Sequence, residues 1–198
     1  MANNYVSIKK KNKIITLVLI CILFCVVLVN VYLFTSNNAS KGNSSLTSQV
    51  SELKSDVNGY VIATKLDERY VLDIADADVA DGANLQLWER NSKFAQLFEL
   101  RINDNGYYQI ININSGKALA AENGGTVEHT NVCQESIGAS NSQYWKLVDA
   151  GNDYYYIIEK NSGLFLDVDN AWTENGTNIK LFSQNEGYEA QKWLLINE

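Results

Sequence analysis

Two hydrophobic patterns divide the chain. Over residues 14–34 only Thr16 and Asn30 are clearly polar. A helix of that length, rising about 1.5 Å per residue, covers about 31 Å and matches the hydrocarbon thickness of a bilayer. Beyond residue 58 the apolar runs are short, aromatic or β-branched, and broken by turn residues. Tyr107-Tyr108-Gln109-Ile110-Ile111 leads into Asn114-Ser115-Gly116, and Tyr154-Tyr155-Tyr156-Ile157-Ile158 leads into Asn161-Ser162-Gly163. Such triplets between strand-like runs predict hairpins.

Self-comparison of this second region reveals a repeat. Gly59-Tyr60 recurs as Gly106-Tyr107 and Asp153-Tyr154, Leu72-Asp73 as Leu119-Ala120 and Leu166-Asp167, and Asn84-Leu85 as Asn131-Val132 and Asn178-Ile179, all in steps of 47. A fourth marker, Gln-x-aromatic, falls at Gln96-Leu97-Phe98, Gln143-Tyr144-Trp145 and Gln191-Lys192-Trp193, in steps of 47 and 48. The body is therefore a tandem triplication, with copies over 59–105, 106–152 and 153–198. Each has room for about four strands. Three such copies are too few for a propeller and suit a closed barrel of threefold pseudosymmetry, which leaves no exposed sheet edge.

Charge sharpens the division. The net charge is −7, yet Lys9, Lys10, Lys11 and Lys13 give the first 13 residues +4, and no acid occurs before Glu52. The remainder holds 12 basic and 23 acidic residues, or −11. A body that acidic repels phosphate backbones and argues against nucleic-acid binding. The basic cluster ahead of the apolar run predicts a cytoplasmic tail (1–13), a membrane-spanning signal anchor (14–34) and an external body. A cleaved signal peptide fits less well: its apolar core is shorter, and Val31-Tyr32-Leu33-Phe34 offers no small-x-small site. Residues 35–58 read as a stalk. Leu46, Val50, Leu53 and Val57 follow a heptad spacing over only two heptads, which leaves a flexible tether and a homo-oligomerising stalk both open. Of three cysteines, Cys21 and Cys25 lie in the apolar run and Cys133 stands alone in the body, so no internal disulfide is expected there.

Three copies ending in Gln-x-aromatic, with Leu-Asp upstream in two of them, resemble the ricin-type β-trefoil lectins over residues 59–198. The resemblance implies an all-β trefoil, preceded here by one transmembrane helix and the stalk. It also implies a shallow sugar pocket in each competent copy, built from an early Asp, an aromatic platform about 15 residues on, and polar groups near Gln-x-Trp. A pyranose presents a C–H-rich face to such a ring and hydroxyls to such a carboxylate. In the first copy the implied carbohydrate-binding residues are Asp73, Gln86, Trp88 and Gln96. In the third they are Asp167, Phe182 and Gln191, with Lys180 where the first has Gln86 and Trp172 in the intervening loop. Gln96 and Gln191 are expected to orient the carboxylates. Ala95 and Ala190 stand where the family often has Asn, so an amide contact is missing. In the second copy Ala120 replaces the Asp and Glu135 the platform, so that copy reads as structural. Acid and ring persist together twice and vanish together once.

Asp76, Asp78 and Asp81 match no EF-hand spacing and read as a solvated acidic turn, and His129 as a loop residue. No metal or other cofactor is expected. Nothing outside the repeats remains to form a catalytic domain, which points away from an enzyme. The expectation is a cell-surface, single-pass carbohydrate-binding module for galactose-like or xylan-like ligands. The alternative is a protein-interaction or structural trefoil that has lost its sugar chemistry.

Overall fold

The computed structural model describes residues 59–198. The expected basic tail (1–13), membrane span (14–34) and stalk (35–58) lie outside the described residues. Among the described residues no helix is long and apolar enough to cross a membrane.

Twelve strands are present in this region, four per copy. The first copy holds β1 (Tyr60–Thr64), β2 (Tyr70–Ile74), β3 (Leu85–Glu89) and β4 (Phe98–Ile102). The second holds β5 (Tyr108–Asn112), β6 (Ala118–Ala121), β7 (Val132–Glu135) and β8 (Trp145–Gly151). The third holds β9 (Tyr154–Glu159), β10 (Phe165–Val168), β11 (Thr177–Phe182) and β12 (Trp193–Asn197). The outer strands of each copy close a six-stranded antiparallel barrel through the pairings β1–β4, β4–β5, β5–β8, β8–β9, β9–β12 and β12–β1. The inner strands form three hairpins, β2–β3, β6–β7 and β10–β11. These hairpins contact one another through the β11–β3 pairing and the bridges Asn84↔Cys133 and Asn131↔Lys180. This is the β-trefoil that the period of 47 predicts.

The local chemistry explains the repeat markers. Phe98, Trp145 and Trp193 are fully buried in one apolar cluster with Leu72, Leu119 and Leu166, and the two indoles donate to Leu119 O and Leu166 O, each at 3.1 Å. The Asn-Ser-Gly turns carry Gly116 at φ 69° and Gly163 at φ 73°, where a side chain is strained. In the third copy the buried carboxylate of Glu159 accepts from Asn161 N (2.8 Å), Ser162 N (2.6 Å) and Ser162 Oγ (2.6 Å), which satisfies the turn. The recurrent asparagines close a ring. Asn84 Nδ2 donates to Asn178 Oδ1 (2.9 Å), Asn178 Nδ2 to Asn131 Oδ1 (3.0 Å), and Asn131 Nδ2 to Asn84 Oδ1 (2.9 Å). Each copy thus supplies one donor and one acceptor to its neighbours, which locks the three hairpins in mutual register.

Candidate functional site

The first-copy site grows from the β2–β3 hairpin. Its register sets Asp73 opposite Gln86, so the two side chains share a face, and Gln86 Nε2 donates to Asp73 Oδ1 at 3.0 Å. Trp88 lies two residues further along β3, hence on the same face. Beyond β2 the chain makes a 3-10 turn, Ala75–Ala77, in which Asp76 and Ala77 adopt φ of 56° and 52°. That left-handed kink turns the loop back over the hairpin. Together these elements line a cavity of about 270 Å³, to which the buried Asp73, Gln86 and Ala95 and the more exposed Asp76, Ala77, Trp88, Asn91 and Lys93 contribute. A volume of that order fits one monosaccharide, near the lower end of ligand pockets. Asp73 is 6% exposed while Trp88 is 37% exposed, so a buried acid sits at the foot of an open ring. Burial raises the Asp73 carboxyl above its ordinary value, with the Gln86 amide and then that of Gln96 pulling the other way.

The marker glutamines also carry a duty beyond the one expected of them. Gln96 Oε1 accepts from Asn91 N (2.8 Å) and its Nε2 donates to Glu89 O (3.1 Å). Gln143 does the same with Gly138 N (2.8 Å) and Ser136 O (2.9 Å), and Gln191 with Asn185 N (3.1 Å) and Ser183 O (2.9 Å). These partners are themselves spaced by 47, and the arrangement persists in the second copy, which has no acid to orient. Gln96 and Gln191 are fully buried. They brace the loop that leaves β3 or its equivalent, rather than touching the solvent face of a site. In the first copy Gln86 holds the acid directly. Gln191 also reaches its own acid, donating to Asp167 Oδ2 at 3.0 Å, and the Gln96 amide also acts on Asp73.

The third copy is rebuilt around Lys180, which faces Asp167 in the β10–β11 register. Its ammonium donates to Asp169 and to His129 Nδ1, the latter at 3.2 Å, and lies 5.2 Å from the Phe182 ring centroid. His129, from the second copy, packs edge-on against Phe182 with centroids 5.0 Å apart. Phe182 is half-buried beneath these two groups. Asp167 is 3% exposed, and burial pushes its carboxyl up to about 6 against the opposing pull of Gln191 and Lys180. Trp172 stands at the end of the 3-10 turn Asp169–Ala171 and is 60% exposed.

The second copy has neither acid nor ring at these places. Ala120 pairs with Cys133, both buried, and Cys133 Sγ lies 3.7 Å from Glu135 Oε1. Burial, then the nearby Glu135 charge, raises the thiol to about 12. The acidic turn of the first copy is a structural joint: Asp81 accepts from Lys117 and from Ser136 N (2.7 Å), and Asp78 Oδ1 accepts from Ala80 N (2.9 Å). Among the described residues no group of three or more His, Cys, Asp or Glu side chains is arranged to hold a metal ion. Asn91, Lys93 and Asp76 line the first pocket although the spacing pattern did not single them out as binding residues. They come from loops, where the pattern of 47 carries no side-chain requirement.

A six-stranded barrel capped by three hairpins, with a pocket at the hairpin of one copy, defines a lectin-like trefoil. The model of the family described as ricin-type beta-trefoil lectin domain-like matches residues 94–182. The designed threefold-symmetric protein ThreeFoil is 35% identical, with a TM-score of 0.68 over 70% of this chain and 97% of its own. An exo-beta-1,3-galactanase from Clostridium thermocellum is 30% identical with a TM-score of 0.68, over 71% of this chain but only 30% of the galactanase. The C-half of an earthworm R-type lectin, solved in complex with GalNAc, shares the fold at 20% identity and a TM-score of 0.56, over 72% of this chain and 100% of its own. No curated protein matches by sequence. The chain belongs to the ricin-type β-trefoil lectin-like family.

Proposed function

We propose that the chain is a non-catalytic carbohydrate-binding module, anchored in the membrane through residues 14–34 and displayed on the outer face. One observation carries the binding reading: in the first copy a buried carboxylate, Asp73, is held by Gln86 in a cavity that the open indole of Trp88 also lines. The ring stacks on the apolar face of a pyranose, and Asp73 accepts from its hydroxyls. The amide that Ala95 does not provide comes from Asn91, which lines the same cavity. The anchor rests on the apolar run and the basic cluster before it. The ligand class, galactose-like or xylan-like, rests on the family resemblance.

A single shallow pocket binds with a dissociation constant on the order of a millimolar, about −4 kcal/mol. Binding by a further copy and by many chains in one membrane adds avidity. The test is retention of the full chain, in detergent micelles, on gels bearing β-galactan or β-xylan. Asp73→Ala removes a hydrogen bond to a charged acceptor, worth about 1.5–3 kcal/mol, and weakens retention roughly 10- to 100-fold. Retention of Asp73→Ala and Trp88→Ala at the wild-type level refutes the reading and favours a protein-binding trefoil.

A further inference from the structure

Binding of a neutral sugar in the first cavity employs Asp73 as acceptor, Gln86 as its holder and Trp88 as platform. Asp76 lines the same cavity and has no task in that scheme. It is exposed, and among the described residues no hydrogen bond or ion pair engages its carboxylate. Its acidic neighbours differ: Asp78 Oδ1 accepts from Ala80 N (2.9 Å), and Asp81 accepts from Lys117 and from Ser136 Oγ (2.9 Å). Burial is the main cause that raises the Asp73 carboxyl, and the nearby charge of Asp76 adds to it, so the two acids face one space.

The backbone does not require an acid at this place. Asp76 is left-handed at φ 56°, and the same position is Asn123 (φ 53°) in the second copy and Asn170 (φ 53°) in the third. Asparagine and aspartate both enter that region readily. An amide makes the same kink twice, so the carboxylate is an addition particular to the copy that joins a buried acid to an open indole.

A second carboxylate in a cavity of about 270 Å³ changes what suits it. A neutral pyranose needs one acceptor for its hydroxyls, whereas a pyranose with a primary ammonium brings three N–H donors and a charge. Asp76 offers that charge a counter-ion through a charge-assisted hydrogen bond, and the indole face of Trp88 attracts a cation beside it. Lys93 also lines the cavity, but two carboxylates oppose its single ammonium. The wider field has the same sign: residues 59–198 hold 10 basic and 21 acidic residues, which draws cationic glycans and repels uronic or sialic acids.

We propose that the first copy selects an aminated, galactose-like pyranose, with Asp76 as the residue that reads the amine. That selectivity rests on the carbohydrate-binding reading above and narrows its ligand class. The full-length chain, isotope-labelled at tryptophan and held in detergent micelles at slightly acidic pH to protonate the amine, is titrated with the methyl glycosides of galactosamine, N-acetylgalactosamine, galactose and galacturonic acid. The indole N–H signal of Trp88, assigned from Trp88→Phe, gives a dissociation constant for each. Galactosamine should bind roughly three- to fivefold more tightly than galactose, as an exposed ion pair supplies, and the acetylated and uronic sugars no better than galactose. Asp76→Asn, which puts in the first copy the amide that the other two carry, should remove the preference, whereas Asp78→Asn should keep it.

Equal affinity for galactosamine and galactose, tightest binding of the uronic sugar, or a preference that survives Asp76→Asn overturns this selectivity while the Trp88 shift sustains the carbohydrate reading. A preference lost equally in Asp78→Asn, or a signal that moves only with xylan oligosaccharides, does the same. A Trp88 signal unmoved by every one of these sugars overturns both together.

Discussion

Asp167→Asn tests whether the third copy keeps a charge that its fold would be more stable without. The carboxyl is 3% exposed and titrates at about 6 instead of 3.8, chiefly through burial. Because the folded state binds the proton more tightly, stability is greatest below pH 3.8 and falls as pH rises toward 6. Each pH unit of that gap is worth about 1.4 kcal/mol, so the ionised group costs the folded state about 3 kcal/mol at pH 8. Asparagine has nearly the same shape, and its carbonyl still accepts from Gln191 Nε2. It loses only the charge and that charge's attraction to Lys180. Thermal melts of wild type and Asp167→Asn are therefore compared at pH 4 and pH 8. The variant should melt higher at pH 8 by roughly 10 °C, given about 3 °C per kcal/mol for a domain of this size, and with the wild type at pH 4. Equal melting temperatures at pH 8, or an offset that does not change with pH, refute the argument that burial dominates this carboxyl.

Two further outcomes follow from the interior. Asn131→Ala opens the asparagine ring, stranding Asn84 Oδ1 and Asn178 Nδ2 in part-buried positions; urea unfolding should show a loss of about 2–4 kcal/mol, with an unchanged midpoint arguing that water replaces the ring at no penalty. Cys133, buried with its thiol near 12, should resist iodoacetamide at pH 8 in the native chain and react once urea unfolds it, as read by mass spectrometry of the Cys133 peptide.

How much of this was legible in the sequence depends on the range of the interaction. The period of 47 is visible because each copy must bury the same aromatic, turn at the same loop and offer the same amide to its neighbours. Asp73, Gln86 and Trp88 were legible because they lie on one hairpin, where cross-strand register converts a short sequence spacing into proximity. Lys180 was visible as a substitution, but its partner His129 was not, since it lies 51 residues away in the preceding copy. Contacts between copies break the symmetry that made the repeat readable. Gln96 is a similar case: sequence marked it as recurrent, but recurrence alone did not show that it braces a loop as well as acting on Asp73. The backbone partners that decide the matter, Asn91 N and Glu89 O, leave no trace in residue identity.

The barrel has its seam where β1 meets β12, from Tyr60↔Asn197 to Thr64↔Trp193. As the ribosome extrudes the chain, the earliest staves of the cask wait, edge bare, for staves made more than a hundred residues later. The hoop cannot shut until β12 has emerged, so until then the nascent trefoil stays open to mispairing with neighbours. Joining the two ends of the trefoil by a short tether and cutting it elsewhere would let that seam form first.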